Sequence, residues 1–165
     1  MNNRLLYINI KDNRWKKSLP DFEDLSGAAL DATFDYIKKS APKPLVISLT
    51  LTNDTEIQAL NKEFRNLDKP TNVLSFAQMD NEDFEQNAKI FPEIDLGDII
   101  ISFDTTQKEA KEKNLPLSRR FTHLFIHGLL HLLGHDHMTD EEADIMENQE
   151  IKILKKLNIP NPYTP

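Results

Sequence analysis

The sequence predicts an α+β fold, with a mixed, curved four-stranded sheet and about five helices packed on it. Four segments have the composition of strands, and amphipathic helical patterns lie between and after them. No internal repeat interrupts the 165 residues, and no linker is long enough to separate two domains. We therefore expect a single domain that spans residues 1–165, a length sufficient to bury a hydrophobic core.

The N-terminal part of the chain contains two predicted strands and two predicted helices. Residues 4–10 alternate between apolar and polar side chains, and residues 45–52 alternate and are rich in β-branched side chains, as strands are. Apolar residues recur at approximately helical spacing over 21–39, and two prolines follow and end this helix. A shorter amphipathic helix follows the second strand and ends near Arg65.

The middle of the chain supplies the other two predicted strands. Residues 65–72 are charged and turn-rich and predict a loop, after which residues 73–79 regain strand character. Residues 80–93 predict an exposed loop or irregular connection, and residues 96–102 a strand covered on both faces. The helix between the second and third strands favours a parallel crossover there, whereas the direction of the other strands stays open.

The C-terminal part is predicted to be helical. A helix rich in lysine and glutamate stops before Pro116, and residues 117–133 form the longest apolar helical pattern of the chain. One further helix completes the chain. Three helix starts carry predicted caps, namely Asn53 or Asp54, Asp104 with Gln107, and Thr139 with Glu142.

Composition narrows the chemistry and the possible partners. Because the chain has no cysteine, any metal site must use His, Asp or Glu. The net charge of −7 argues against a coat protein that neutralises nucleic acid over a broad basic face. No run approaches the about 18 apolar residues of a membrane span and no secretory signal is recognisable, so a soluble cytoplasmic protein is expected. Two acidic stretches are predicted to be solvated faces: Asp80, Glu82, Asp83, Glu85, Glu93 and Asp95, and Asp140, Glu141, Glu142, Asp144, Glu147 and Glu150.

Three of the five histidines have the spacing of a metal site. His127 and His131 are four residues apart, so on a helix both imidazoles project from one face. Gly134 can take a left-handed conformation and reverse the chain, which lets His137 return as a third ligand. Three neutral imidazoles leave the fourth position of a tetrahedral ion open to water, whose pKa in catalytic zinc sites can reach about 7.

The spacing H-x-x-x-H-x-x-G-x-x-H is also that of the metzincin peptidases, with one difference. Those enzymes have a glutamate general base directly after the first histidine, where this chain has Gly128. A peptidase of that mechanism is therefore disfavoured. Because a helical glycine costs about 1 kcal/mol relative to alanine, Gly128 is expected to make room for substrate or for a neighbouring backbone.

Three further residues near the predicted ligands are polar or charged but are not predicted to bind the ion. His123 lies one turn earlier on the same helix, and is predicted to be a core residue or to support a ligand. His135 is predicted to point away from the ion, as a surface or substrate-facing residue. Asp136 either orients a ligand imidazole or is an exposed aspartate of the turn, and both interpretations stay open.

Two separated parts of the sequence resemble one known family. The segment HGLLHLLGHDH resembles the signature HGxLHLxGYDH of the YbeY family of single-strand-specific metallo-endoribonucleases, which act in bacterial ribosomal RNA maturation. LNKEFRNLDKPTNVLSF and LGDIIIS resemble the central region of that family. The resemblance implies a zincin-like α+β fold, the ligands His127, His131 and His137, and a functional arginine at Arg65. Three residues depart from the family pattern, namely Asn72, Ala77 and His135, where aspartate, proline and tyrosine are usual.

Arginines near the histidines are candidates for binding RNA. Arg65 is predicted to lie on a loop beside Lys69, where its guanidinium can bind a phosphate bidentately. A surface ion pair with Asp68 is the alternative from the residues alone, and the resemblance favours function. Arg119 and Arg120 either extend a basic path for single-stranded RNA or solvate the helix, and solvation is the favoured interpretation.

The predicted function is cleavage of single-stranded RNA by a zinc-dependent endoribonuclease that acts in rRNA maturation, including 16S rRNA 3′-end processing, and in ribosome quality control. One Zn²⁺, or another first-row divalent ion, is expected to hold a water or phosphate oxygen, while Arg65 stabilises charge on the transferring phosphoryl group. The expected partners are rRNA and the ribosome or its proteins, with neither membrane nor DNA. Because neutral imidazole binds the ion, activity should fall below about pH 6.5.

Two alternative functions and several details stay open. The first alternative is a metal-dependent peptidase or other hydrolase, which cleavage of peptides but not RNA would reveal. A noncatalytic ribosome assembly factor would show no turnover and would lose its fold without metal. No general base is identifiable, so attack by water or by the ribose 2′-hydroxyl is equally open. The physiological metal, the cleavage site and the oligomeric state are not fixed by the sequence.

Overall fold

The computed structural model describes residues 3–39 and 41–164 and has a four-stranded mixed sheet with helices packed on it. Residues 1, 2, 40 and 165 of the predicted domain lie outside the described residues. The strands are β1 (Arg4–Ile10), β2 (Leu45–Thr52), β3 (Val73–Ala77) and β4 (Ile94–Ser102). The helices are α1 (Arg14–Ser18), α2 (Phe22–Ile37), α3 (Asp54–Arg65), α4 (Phe84–Ile90), α5 (Phe103–Glu112), α6 (Leu117–Leu132) and α7 (Asp140–Lys156).

The strand order is β1-β2-β4-β3, which confirms the predicted mixed sheet of four strands. β1, β2 and β4 run parallel, whereas β3 pairs antiparallel with β4 at the sheet edge. The predicted parallel crossover from the second to the third strand is therefore wrong. β4 occupies the place beside β2 because it matches β2 in length and is covered on both faces, which leaves the short, half-buried β3 at the edge.

A glycine in β4 allows β3 to lie close against it. Gly97 has a φ of +129°, and a Cβ atom at this position would come within 2.1 Å of the carbonyl oxygen of Phe76. Gly97 pairs with Ala77 at the last position of the β3–β4 ladder. The conformation and the close approach both require glycine, so this residue fixes where β3 ends.

The described residues contain seven α-helices, two more than the approximate five that the sequence predicts. α1 has only five residues, too few for a helical period to be visible, but its Trp15 is fully buried and donates Nε1–H to the carbonyl oxygen of Thr52 at 2.9 Å. α4 lies inside the acidic segment predicted to be a loop, and none of its residues is fully buried. Both helices have seven residues or fewer, too few to show the longer amphipathic pattern on which the prediction depended.

Two of the three predicted helix caps are confirmed. The side chain of Asn53, rather than that of Asp54, accepts the backbone N–H of Glu56, and Thr139 accepts that of Glu142. Asp104 does not cap α5, because Ser102 precedes the helix and the Asp104 carboxylate binds residues of other elements. Within the described ranges, no helix is long and apolar enough to cross a membrane.

The core lies between the sheet and the helices that surround α6. α6 packs against α2, α5 and α7 as well as against β3 and β4, and eleven of its sixteen residues are buried. Because most of its residues are buried and most of the buried side chains are apolar, α6 lies in the centre of the fold. The histidines of α6 are therefore carried by a rigid element whose position is fixed by packing on several sides.

Candidate metal centre

The structure brings the three predicted metal ligands together at the C-terminal end of α6. One nitrogen from each of His127, His131 and His137 lies within 4.8 Å of the others. The ring centroids are 4.7, 4.9 and 5.5 Å apart. Gly134 has a φ of +96°, and the backbone N–H of His135 bonds back to the carbonyl of Leu130, so the chain reverses as predicted.

Gly128 makes room, but for side chains of the sheet rather than for substrate or backbone. A Cβ at this position would lie 2.9 Å from Ile99 Cγ2 and 3.1 Å from Ser75 Oγ. The position is buried where α6 crosses β4 and β3. A glutamate would have no space here, which is a physical reason why the general base of the metzincin frame is absent.

Glu150 of α7 determines which nitrogen of His127 faces the other histidines. Glu150 Oε2 lies 2.8 Å from His127 Nδ1, and the carboxylate can only accept. His127 therefore donates Nδ1–H to Glu150 and presents the lone pair of Nε2 to the cluster. That Nε2 lies 3.1 Å from Nε2 of His131, a separation that suits two ligands of one ion.

His123 hydrogen-bonds to the same Glu150 carboxylate, in agreement with the prediction that it supports a ligand. Arg120 Nη1 lies 3.2 Å from His123 Nδ1, and a guanidinium can only donate, so Nδ1 is the acceptor. The remaining proton is therefore on Nε2, which donates to Glu150 Oε1 at 2.5 Å. His123 is buried and does not join the three ligands.

A polar chain continues from His123 to the start of β3. Arg120 donates Nε–H and Nη2–H to Glu109 at 3.1 and 2.9 Å, and Glu109 accepts the side-chain amide of Asn72 at 3.0 Å. Arg120 is only 8% exposed, so both the RNA path and the solvated surface predicted for it are wrong. Its charge is paired inside the protein, where it fixes the tautomer of His123.

Glu150 is the functional residue that sequence reasoning missed, because it was assigned to a solvated acidic face. Its side chain is 1% exposed and also accepts the hydroxyl of Tyr163 at 2.5 Å. Burial raises the pKa of this carboxyl, but hydrogen bonds from His123 and His127 outweigh it and lower the pKa from 4.5 to about 2. The carboxylate is therefore charged at all physiological pH values.

The donor set fits a divalent ion that prefers nitrogen ligands. Burial, followed by the charges of His127 and His137, lowers the pKa of His131 from 6.5 to about 4, so this imidazole stays neutral well into the acid range. Neutral imidazole is the form that binds a metal. A buried carboxylate behind one ligand adds negative charge beside the ion and raises the basicity of that ligand.

Asp136 does not perform the orienting function that Glu150 performs. Its carboxylate accepts the backbone N–H of His137 at 2.7 Å, and lies 3.6 Å from His137 Nδ1, beyond hydrogen-bond distance. With half of its side chain exposed, it is the turn aspartate of the second interpretation. His135 lies outside the three-histidine cluster and lines the adjacent cleft.

Arg65 lines the same cleft as the histidines and is the last residue of α3, rather than lying on a loop. Its Nη2–H donates to the carbonyl oxygen of Ser75 at 2.8 Å, and its guanidinium lies 5.0 Å from the ring centroid of Phe76. Asp68, the alternative partner, lies 3.9 Å from Lys62 instead. β3 therefore holds Arg65 against the sheet edge. In the described part of the chain, the other N–H donors of Arg65 make no hydrogen bond to protein.

The cleft has a volume of about 660 Å³ and joins the metal cluster to the sheet edge. Its backbone wall is β3, which pairs with β4 on one side only. Apolar side chains on its rim are exposed, and Met138 is 81% exposed. The lining residues include Arg65, Leu67, Asn72, Ser75, His135 and Met138.

Comparison with known proteins identifies the family. A family model described as Endoribonuclease YbeY matches residues 7–158. Endoribonuclease YbeY of Allorhizobium ampelinum is 44% identical over 160 residues, which cover 94% of this chain and 92% of that protein. The protein of the same name from Erythrobacter litoralis is 42% identical over 157 residues, which cover 94% and 96%. A solution structure from Thermotoga maritima, at 21% identity, has a TM-score of 0.54 over 97% of this chain and 99% of that one, and supports the fold. The chain belongs to the YbeY family of endoribonucleases.

Proposed function

We propose that this chain is a metal-dependent endoribonuclease that cleaves single-stranded RNA in the cleft between the three histidines and Arg65. The observation that supports this function best is that a three-nitrogen donor set and a guanidinium line the same cleft. A phosphodiester needs both an electrophilic ion and a fixed cation beside the phosphate. Family membership makes the chain an endoribonuclease of rRNA processing.

The more specific biological role extends this activity. We assign the chain to 16S rRNA 3′-end processing and ribosome quality control in the cytoplasm, with contacts to the ribosome or its proteins and none to membrane or DNA. The relatives carry the endoribonuclease name over nearly the whole chain, which supports the RNA substrate.

His127, His131 and His137 are proposed to hold one Zn²⁺, on an α6 helix that serves as the metal helix of a zincin-like fold. Bound zinc supplies a Lewis acid that polarises a phosphoryl oxygen or activates water. The protein prepares the ligands for this ion. Glu150 fixes the tautomer and orientation of His127, and burial keeps His131 neutral.

Arg65 is proposed to be the catalytic residue that stabilises charge on the phosphoryl group. One of its five N–H donors is bound to Ser75, and the ring of Phe76 supports its plane, so the guanidinium has a defined position. The remaining donors suit the non-bridging oxygens of a phosphodiester. Removing one such fixed donor from an oxyanion site typically costs about 100- to 1,000-fold in rate.

The free edge of β3 supports the binding of a single strand. Asn72 bonds to Ser102 of β4 through its carbonyl, so by alternation Val73, Ser75 and Ala77 direct their backbone groups toward the cleft. Exposed apolar side chains at the rim, such as Met138, offer contacts to the faces of unstacked bases. A duplex hides those faces, which favours single-stranded RNA as substrate.

Two attacking groups are compatible with this cleft, and the product ends distinguish them. Attack by the ribose 2′-hydroxyl leaves a 2′,3′-cyclic phosphate, whereas attack by water leaves an ordinary phosphomonoester. Mass spectrometry of a short cleaved oligonucleotide identifies the ends.

The proposed function is tested by cleavage of matched single-stranded and duplex RNA with zinc-loaded and chelator-treated protein. We expect His131→Ala to lose zinc binding and cleavage together, and Arg65→Ala to bind zinc normally while cleaving about 100- to 1,000-fold more slowly. Lys108→Ala, which removes an exposed cation on α5, is the matched control and should cleave normally.

Three outcomes would contradict the proposal in different ways. Cleavage that survives both chelation and His131→Ala would overturn the metal-dependent mechanism. Full activity of Arg65→Ala would remove Arg65 from the catalytic group. Zinc binding without any turnover of RNA would favour the noncatalytic assembly factor.

A further inference from the structure

The C-terminal segment 159–164 reaches the metal centre from outside the part of the chain that matches the family model. That match ends at residue 158, yet the hydroxyl of Tyr163 lies 2.5 Å from Glu150 Oε1. The same hydroxyl lies 3.2 Å from His123 Nε2. Tyr163 therefore contacts the carboxylate that orients His127, although it lies beyond the residues matched by the family model.

The direction of these hydrogen bonds follows from the chemistry of the partners. A charged carboxylate only accepts, so the Tyr163 hydroxyl donates to Glu150 Oε1, beside the Nε2–H of His123. Two donors thus hold Oε1. This leaves Oε2 directed at His127 Nδ1, at 2.8 Å. Rotation of the carboxylate would break three hydrogen bonds at once.

The segment that carries Tyr163 has a defined position. Ile159 N–H bonds to the carbonyl of Leu154, and Tyr163 N–H bonds to the side chain of Asn161 at 2.8 Å. Two prolines in this segment, at positions 160 and 162, restrict its backbone. The Tyr163 ring meets the His123 ring edge-on, with centroids 5.4 Å apart.

We propose that Tyr163 is a positioning residue of the metal centre, whose hydroxyl holds the Glu150 carboxylate in the orientation that aligns His127 for the ion. This inference rests on the three-histidine metal site proposed above. It extends the functional unit of this chain beyond the family match to its C-terminal segment.

The test compares Tyr163→Phe with the unmodified protein by zinc affinity, in competition with a chromophoric chelator. We expect the zinc dissociation constant to rise about threefold to tenfold, less than the about 10- to 100-fold typical for losing a residue in direct contact with a ligand. The visible spectrum of the cobalt-substituted protein should change as well. Tyr7→Phe, which removes an exposed hydroxyl on β1, is the matched control and should alter neither.

A double-mutant cycle shows whether Tyr163 acts through Glu150. In a Glu150→Gln background, Tyr163→Phe should change the zinc affinity no further. Zinc affinity and a cobalt spectrum unchanged by Tyr163→Phe would overturn the proposal, as would additive effects of the two substitutions. Urea unfolding of the metal-free variants separates a general loss of stability from the expected loss of affinity. None of these measurements depends on RNA cleavage, so the result stands apart from the proposed reaction.

Discussion

Two carboxylate networks in this molecule have similar numbers of hydrogen bonds but different partners. Glu150, 1% exposed, accepts from two histidines and a tyrosine beside the three-histidine cluster. Asp104, whose side chain is 36% exposed, accepts two hydrogen bonds from Arg14 and one from the backbone of Asp54. Neighbouring Asp54 in turn accepts the hydroxyls of Ser102 and Thr105, each at 2.6 Å.

The two networks also lower their carboxyl pKa values by different means. In the Asp104 network, hydrogen bonds from the permanent charge of Arg14 lower the pKa of Asp104 and lower that of Asp12 to about 2. In the described part of the chain Glu150 contacts no arginine or lysine, and hydrogen bonds and charge from His123 and His127 lower its pKa instead.

This difference separates a network that serves the site from one that serves the fold. The partners of Asp104 join the starts of α1, α3 and α5, and none of them is a proposed metal ligand. The partners of Glu150 include a proposed ligand. A charged residue whose partners can themselves bind a metal is thus a better indicator of function than the size of its pKa shift.

Breaking the Glu150 network should have the largest effect. Glu150→Gln places an amide donor where the carboxylate accepts, so one histidine or Tyr163 loses its acceptor. We expect zinc affinity to fall about 10- to 100-fold, measured by chelator competition. Asp144→Asn, an exposed position of the same helix, should leave it unchanged. Equal affinities of Glu150→Gln and the unmodified protein would show that Glu150 has only a structural role.

Breaking the Asp104 network should affect stability and spare the metal centre. Asp104→Ala removes the acceptor of one backbone N–H and an exposed ion pair, which together contribute about 1 kcal/mol. The melting temperature should fall by about 2–4 °C in a chain of this length. Glu112→Ala on the same helix, whose lysine partner is 4.0 Å away, should change it by less. A change in zinc affinity of Asp104→Ala would contradict the separation of the two networks.

The pH dependence of stability offers the smallest and most specific test. Because Arg14 lowers the pKa of Asp12 from 3.8 to about 2, this pair stabilises the fold above about pH 4, and the contribution is lost as the pH falls toward 2. Arg14→Ala should therefore cost at most about 1 kcal/mol at pH 6, after solvent screening, and progressively less between pH 4 and 2. Urea unfolding at several pH values measures this difference. A difference that stays constant down to pH 2 would exclude the ionic contribution.

The fold was predictable where the sequence pattern is local. β1 and β2 have the predicted bounds, since alternating apolar residues directly encode a half-buried or buried strand. The direction of β3 was not predictable, because it depends on which later strand takes the central position beside β2. β4 takes that position, and it begins at Ile94, seventeen positions after β3 ends at Ala77.

The cluster of three histidines was predictable from the sequence, but the residue that orients His127 was not. His127, His131 and His137 lie on one helix and the turn after it, so their spacing contains the geometry. Glu150 contacts His127 from another helix. One signal was available, since Glu150 lies four residues after Met146 and three before Ile153, within the buried stripe of α7. A lone acidic residue in an apolar stripe needs buried partners, and histidines are suitable ones.

The distribution of the Glu150 network along the chain has a consequence for protein synthesis. Chains leave the ribosome N-terminus first, so the three histidines emerge before Glu150, and Glu150 emerges before Tyr163. A nascent or prematurely terminated chain thus carries the ligands without the groups that align them. In the proposed metal site, tight binding of the ion is therefore expected only after Glu150 and Tyr163 have been synthesised.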